Sequence, residues 1–101
     1  MTLPSLDDSV TRRADVLARE TPDGAVLVDM MSGRAWELNR VGAALWPLLA
    51  TPTTLRQVCR VLGERYAVER AVLERDVTKL ADDLIRAGLL VVARGEPAPA
   101  P

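Results

Sequence analysis

Residues 24–46 read GAVLVDMMSGRAWELNRVGAALW, and the fold follows from how this stretch divides. Ala25 to Asp29 is rich in Val and Leu, Met31-Ser32-Gly33 supplies turn chemistry, and Arg34 to Leu38 alternates polar and apolar side chains. That pattern predicts two short antiparallel strands joined by a tight turn. In the second strand Trp36 and Leu38 share one face, and Ala35 and Glu37 the other. Asn39 stands where a helix N-cap belongs, ahead of Val41, Ala44, Leu45 and Leu48 at the i, i+3, i+4, i+7 spacing of an apolar helix face. A hairpin that hands its last strand directly to a helix leaves the far side of that strand as a candidate open edge.

Upstream, Asp15 to Glu20 reads as a strand and Thr21-Pro22-Asp23-Gly24 as a four-residue turn, which completes a three-stranded antiparallel meander. Residues 1–13 show no sustained period and are expected to form a flexible arm. Downstream, Pro47 shortens or kinks the first helix, which should end by about Ala50. Thr54 to Gln57 has the T-x-x-Q pattern of a capping box and opens a second helix with Leu55, Val58, Cys59 and Leu62 on its core face. The third helix is expected from about Glu69 to Ala87, with Gly88 at its C-terminal cap and Leu73, Val77, Leu80 and Leu84 as its stripe, Ala81 beside them. Leu89 to Ala93 is a brief apolar run, read as a last strand or as chain packed on the core, and residues 94–101 read as a disordered Pro/Ala tail. The expected architecture is one α+β domain over residues 14–93, a three-stranded antiparallel sheet followed by three helices, winged helix-turn-helix-like.

Composition narrows the function. With 101 residues, 49% apolar and 27% charged, the chain is a single small globular domain. A net charge of −1 gives no basic surplus for nucleic acid. Residues 54–87 make the same point locally, since seven basic side chains there are interleaved with six acidic ones. Phosphate would be repelled almost as often as attracted, so a winged-helix DNA-binding or regulatory protein is the alternative reading and not the favoured one. No apolar run approaches the roughly 20 residues of a membrane span, and the first residues lack signal-peptide character, so the expected compartment is the cytoplasm. The single cysteine, Cys59, fits a reducing environment.

Catalytic chemistry is hard to assemble from these residues. There is no histidine, which removes the commonest general base and metal ligand. Cys59 occupies a core position of an amphipathic helix and reads as structural, and one thiol without imidazole builds no zinc site. Asp76, Asp82 and Asp83 alternate with Lys79 and Arg86 as a solvated helix face does. The six glycines are scattered singly, so no phosphate-cradling loop exists. The expectation is a non-enzyme without cofactor or metal.

One ordered set of residues does carry a signal. Gly24-x-Val26-Leu27-Val28-Asp29, then Gly33-Arg34-x-Trp36-x-Leu38-Asn39-x-x-Gly42-x-x-Leu45-Trp46, then Val58 to Tyr66 and Asp76-Val77 to Leu84, closing in Ala87-Gly88-Leu89, resembles the PqqD-like family. These are the recognition elements of ribosomally made, modified peptides, and the resemblance spans roughly residues 14–92. The strand and the closing segment are most similar to the leader-binding members that serve lasso-peptide biosynthesis. The resemblance implies a sheet packed on three helices, no catalysis, and binding of a precursor's leader segment as an added strand between the third strand and the third helix. It also implies presentation of that leader to a separate cysteine protease.

Transferred to this sequence, the edge is Arg34, Ala35, Trp36, Glu37 and Leu38, and the opposite wall is the helix flank of Asp76, Leu80 and Asp83 with Lys79 farther round. Trp36 is expected both to cover the sheet and to line the groove, and Trp46 to lie in the core. An exposed edge of this kind can also pair with a second copy and give a homodimer.

Overall fold

The computed structural model describes residues 3–93. In chain order its elements are β1 (Ser9–Arg12), β2 (Val16–Thr21), β3 (Gly24–Asp29), β4 (Ala35–Leu38), α1 (Arg40–Leu48), β5 (Thr53–Thr54), α2 (Leu55–Arg65), α3 (Arg70–Arg86) and β6 (Leu90–Ala93). The antiparallel meander stands in the order β2-β3-β4. Thr21 pairs with Gly24 across Pro22-Asp23, which sets the β2–β3 register with Leu27, fully buried, opposite Ala18; on its other side Leu27 lies opposite Trp36 of β4. The next turn is tied by Asp29, whose carboxylate accepts the Met31 N–H at 2.9 Å and whose carbonyl accepts the Gly33 N–H at 2.8 Å. Gly33 has φ 76°, a conformation that side-chain-bearing residues avoid. Gly24 is needed for a different reason: a Cβ there would lie 1.8 Å from the Leu38 carbonyl oxygen, so β3 starts directly against the end of β4.

A second sheet, β5-β1-β6, corrects the expected N-terminal arm. Val10 of β1 is fully buried, with Val92 opposite it on one side and Thr53 on the other. A four-residue strand with one inward apolar side chain has no readable period, and its partners are distant in sequence, so nothing local marks it. Leu90–Ala93 forms the last strand, and residues 94–101, expected as a tail, lie outside the described residues.

The helices close the core. Asn39 caps α1, its side-chain oxygen accepting the Gly42 N–H at 2.9 Å. The buried row of α1 is Gly42, Leu45 and Trp46, continued by Leu49, whereas Val41, Ala44 and Leu48 are only partly buried. This helix is apolar nearly all round, so periodicity alone does not choose its face. Burial of the large indole of Trp46 does. On α2 the expected face of Leu55, Val58, Cys59 and Leu62 is buried. Thr54 Oγ accepts the Gln57 N–H at 3.1 Å, while the Gln57 side chain bonds Arg60 instead of returning to Thr54. On α3 the buried stripe is Leu73, Val77, Ala81 and Leu84, so Ala81 takes the place expected for Leu80, which is half-buried at the flank.

Candidate functional site

Hydrogen-bond alternation determines which backbone groups of β4 are free. The Asp29 N–H donates to the Arg34 carbonyl at 2.9 Å, which makes Asp29 and Arg34 a bonded pair. Counting in twos along the antiparallel register, Leu27 with Trp36 and Ala25 with Leu38 are the next bonded pairs. The amides and carbonyls of Ala35 and Glu37 therefore point away from β3. Among the described residues no strand lies on that side, because β4 pairs with β3 alone. β2 leaves the other margin of this sheet open in the same way. What distinguishes the β4 margin is its neighbourhood.

Trp36 and Leu38 turn toward the helices, Trp36 partly buried against the core and Leu38 almost wholly buried. Across from them stands α3. The two elements meet over α1: a Cβ placed on Gly42 would lie 3.1 Å from Leu38 Cβ and 3.1 Å from Leu80 Cδ2. Leu38, Gly42 and Leu80 thus form a continuous apolar floor. On the α3 side its rim is Asp76, Lys79 and Asp83, all well exposed, with Lys79 Nζ 3.4 Å from Asp83. Asp76 has a weaker partner, Arg75 at 4.0 Å.

The far end of this arrangement is fixed by Arg13. Its guanidinium holds Asp15 through two bonds of 3.0 and 2.6 Å, lies 3.5 Å from Asp29, and donates to the Gly88 carbonyl at 2.7 Å. Gly88 follows the C-terminus of α3 with φ 80°. One side chain therefore ties the β3–β4 turn to the end of α3. The Asp29 carboxyl, 5% exposed, is held below its ordinary pKa, first by the Met31 N–H and then by Arg13 and Ser32, against the upward push of burial. Pairing with Asp15 is the main reason that the Arg13 pKa is raised.

Elsewhere the chemistry is quiet. Burial pushes the Cys59 thiol up, away from the reactive thiolate. No three metal-ligating side chains cluster among the described residues. Arg70 with Glu74, Lys79 with Asp83 and Arg86 with Asp82 are i, i+4 ion pairs that neutralise most of the basic groups on α3. No described helix is long and apolar enough to cross a membrane.

Residues 24–90 match the family described as coenzyme PQQ synthesis protein D (PqqD). This chain belongs to the PqqD family. Among solved structures it resembles a lasso peptide synthetase B1 complexed with the leader peptide, at 30% identity over 81% of this chain and 96% of the other, with a TM-score of 0.68. TbiB1 in complex with the TbiA(beta) leader peptide is similar at 25% identity over 79% and 93% of the two chains, with a TM-score of 0.69. The PqqD portion of PqqCD from Methylobacterium extorquens, a stand-alone recognition element for ribosomally synthesized and modified peptides, shares the fold at 22% identity, 86% and 93% coverage and a TM-score of 0.72. No curated protein matches.

Within this PqqD-family fold the residues singled out from sequence fall into two groups. Leu38 and Leu80 meet at the floor with Trp36 partly buried on the same face of β4, while Asp76, Lys79 and Asp83 stand exposed on the α3 side. Ala35 and Glu37 contribute backbone, their side chains being exposed on the outer face. Arg34 precedes the strand and is bonded back to Asp29. Sequence reasoning named Gly42 only within the ordered motif and gave Arg13 no role. Gly42 was visible in the N-x-x-G spacing after β4, whereas Arg13 had no local signal at all.

Proposed function

We propose that this chain is a non-catalytic recognition element that binds the leader segment of a ribosomally made precursor peptide as an added strand on β4. The observation that carries this reading is the outward-facing backbone of Ala35 and Glu37 beside the apolar floor of Leu38, Gly42 and Leu80. Main-chain bonding to an unpaired edge supplies affinity for any extended peptide, and side-chain contacts with the floor and rim select among peptides. TbiB1 and the lasso peptide synthetase B1 were both solved with leader peptides bound, which supports the same role here. The bound leader is presented to a separate maturation enzyme, a cysteine protease in a lasso pathway. The buried, unpaired Cys59 fits work in the reducing cytoplasm.

The test is a titration of the full chain with a synthetic peptide of the leader encoded by the neighbouring precursor gene. Binding at about micromolar Kd or tighter, near −8 kcal/mol, is expected. Backbone amide shifts should concentrate at residues 34–38 and 76–83, with a change in Trp36 emission. Shifts centred on the β2 margin, or no binding, would refute the assignment.

A further inference from the structure

Gly42 is the point where β4, α1 and α3 approach one another, and its missing side chain has no explanation in backbone conformation. Among the described residues only Gly33 and Gly88 take positive φ, so an alanine at 42 would suffer no torsional strain. Alanine is also the better helix former. What glycine provides is room: a Cβ would meet Leu38 Cβ at 3.1 Å, Leu80 Cδ2 at 3.1 Å and Leu38 Cδ2 at 3.4 Å. The two neighbours are not equally free to yield. Leu38 is 7% exposed and its Cβ is fixed by the ladder opposite Ala25, whereas Leu80 is half-buried and makes its contact through a terminal methyl. A side chain at 42 is therefore accommodated by Leu80 rising from the floor into the groove, together with a small shift of α1 away from Leu38 Cβ.

We propose that Gly42 is a specificity-determining residue, setting the depth of the groove so that an aliphatic or aromatic side chain of the bound strand can rest on Leu38 and Leu80. This rests on the leader-binding reading and adds which part of the leader is selected. The test compares wild-type and Gly42→Ala chains against the same synthetic leader peptide, with thermal unfolding of each. Gly42→Ala should bind at least tenfold more weakly while its unfolding stays cooperative, with a midpoint within about 8 °C of the wild-type value. In a Leu80→Ala background, which removes the displaced methyl, adding Gly42→Ala should change affinity less than twofold. Equal affinity of wild type and Gly42→Ala overturns the inference, as does a midpoint lowered by more than about 8 °C or a tenfold loss in the Leu80→Ala background. A wild-type chain that does not bind the leader overturns the functional reading itself, and this inference with it.

Discussion

Replacing Glu37 by proline removes one outward N–H from β4 and nothing from the ladder to β3, because residue 37 is not among the bonded pairs Trp36–Leu27 and Leu38–Ala25. Proline is tolerated on an edge strand when its nitrogen faces away from the neighbouring strand. The fold should therefore survive with only a small change in midpoint. An added strand is affected twice. It loses a hydrogen bond with a net contribution of about 0.5–1.5 kcal/mol, and its own carbonyl is left facing a ring at a further cost of about 1–3 kcal/mol. A combined loss of roughly 1.5–4.5 kcal/mol corresponds to about a tenfold to two-thousandfold rise in Kd. Glu37→Ala is the control: its amide is intact, and the Glu37 side chain is exposed on the outer face, so its affinity should stay within about threefold of wild type. Isothermal titration of the three chains with one leader peptide decides the matter. If Glu37→Pro and Glu37→Ala bind alike, the ligand does not use this edge and the argument from strand addition is wrong.

Leu80→Glu places a carboxylate on the groove floor, so leader binding should fall by more than about a hundredfold. Because Leu80 is half-buried, the charge can reach water and unfolding should change by no more than about 1 kcal/mol; normal leader binding would relocate the groove. Gly24→Ala forces the Leu38 carbonyl to retreat by well over an ångström from a Cβ that would sit 1.8 Å away. Loss of the adjoining ladder bond and strain on the Asn39 cap should remove at least about 2 kcal/mol, or roughly 8–16 °C in midpoint, and calorimetry showing no drop would contradict this register. The Asp29 pKa is lowered in the folded chain, so over the window between its folded and ordinary values the unfolded state binds more protons. Stability should thus be complete above the ordinary carboxylate range and decline as the pH falls through the folded value, with Asp29→Asn flattening that slope in acid urea titrations. An unchanged slope would assign the acid sensitivity to other groups.

Local patterning carried the parts of this fold that local forces decide. The Thr21-Pro22-Asp23-Gly24 turn, the alternation of Trp36 and Leu38, the Asn39 cap and the Leu55, Val58, Cys59, Leu62 face are each settled within a few residues. The edge itself was legible for the same reason, since a strand followed immediately by a capped helix cannot bring the next segment of chain alongside it. Errors arose where a choice depended on distant chain. The inward row of α1 was set by Trp46 and Gly42 against other elements, and Leu80 gave way to Ala81 because the small residue admits closer packing of α3.

The sequence by itself determined a small α+β domain with a meander, three helices and an exposed last meander strand, because hydrophobic period, turn chemistry and capping are short-range properties of the chain. Only the tertiary structure decided that β1, β5 and β6 join in a second sheet, that Arg13 ties the β3–β4 turn to the end of α3, and that Gly42 brings Leu38 and Leu80 together beneath the free edge. Each of these is a contact between segments far apart along the chain, and its energy depends on distances that no local pattern encodes.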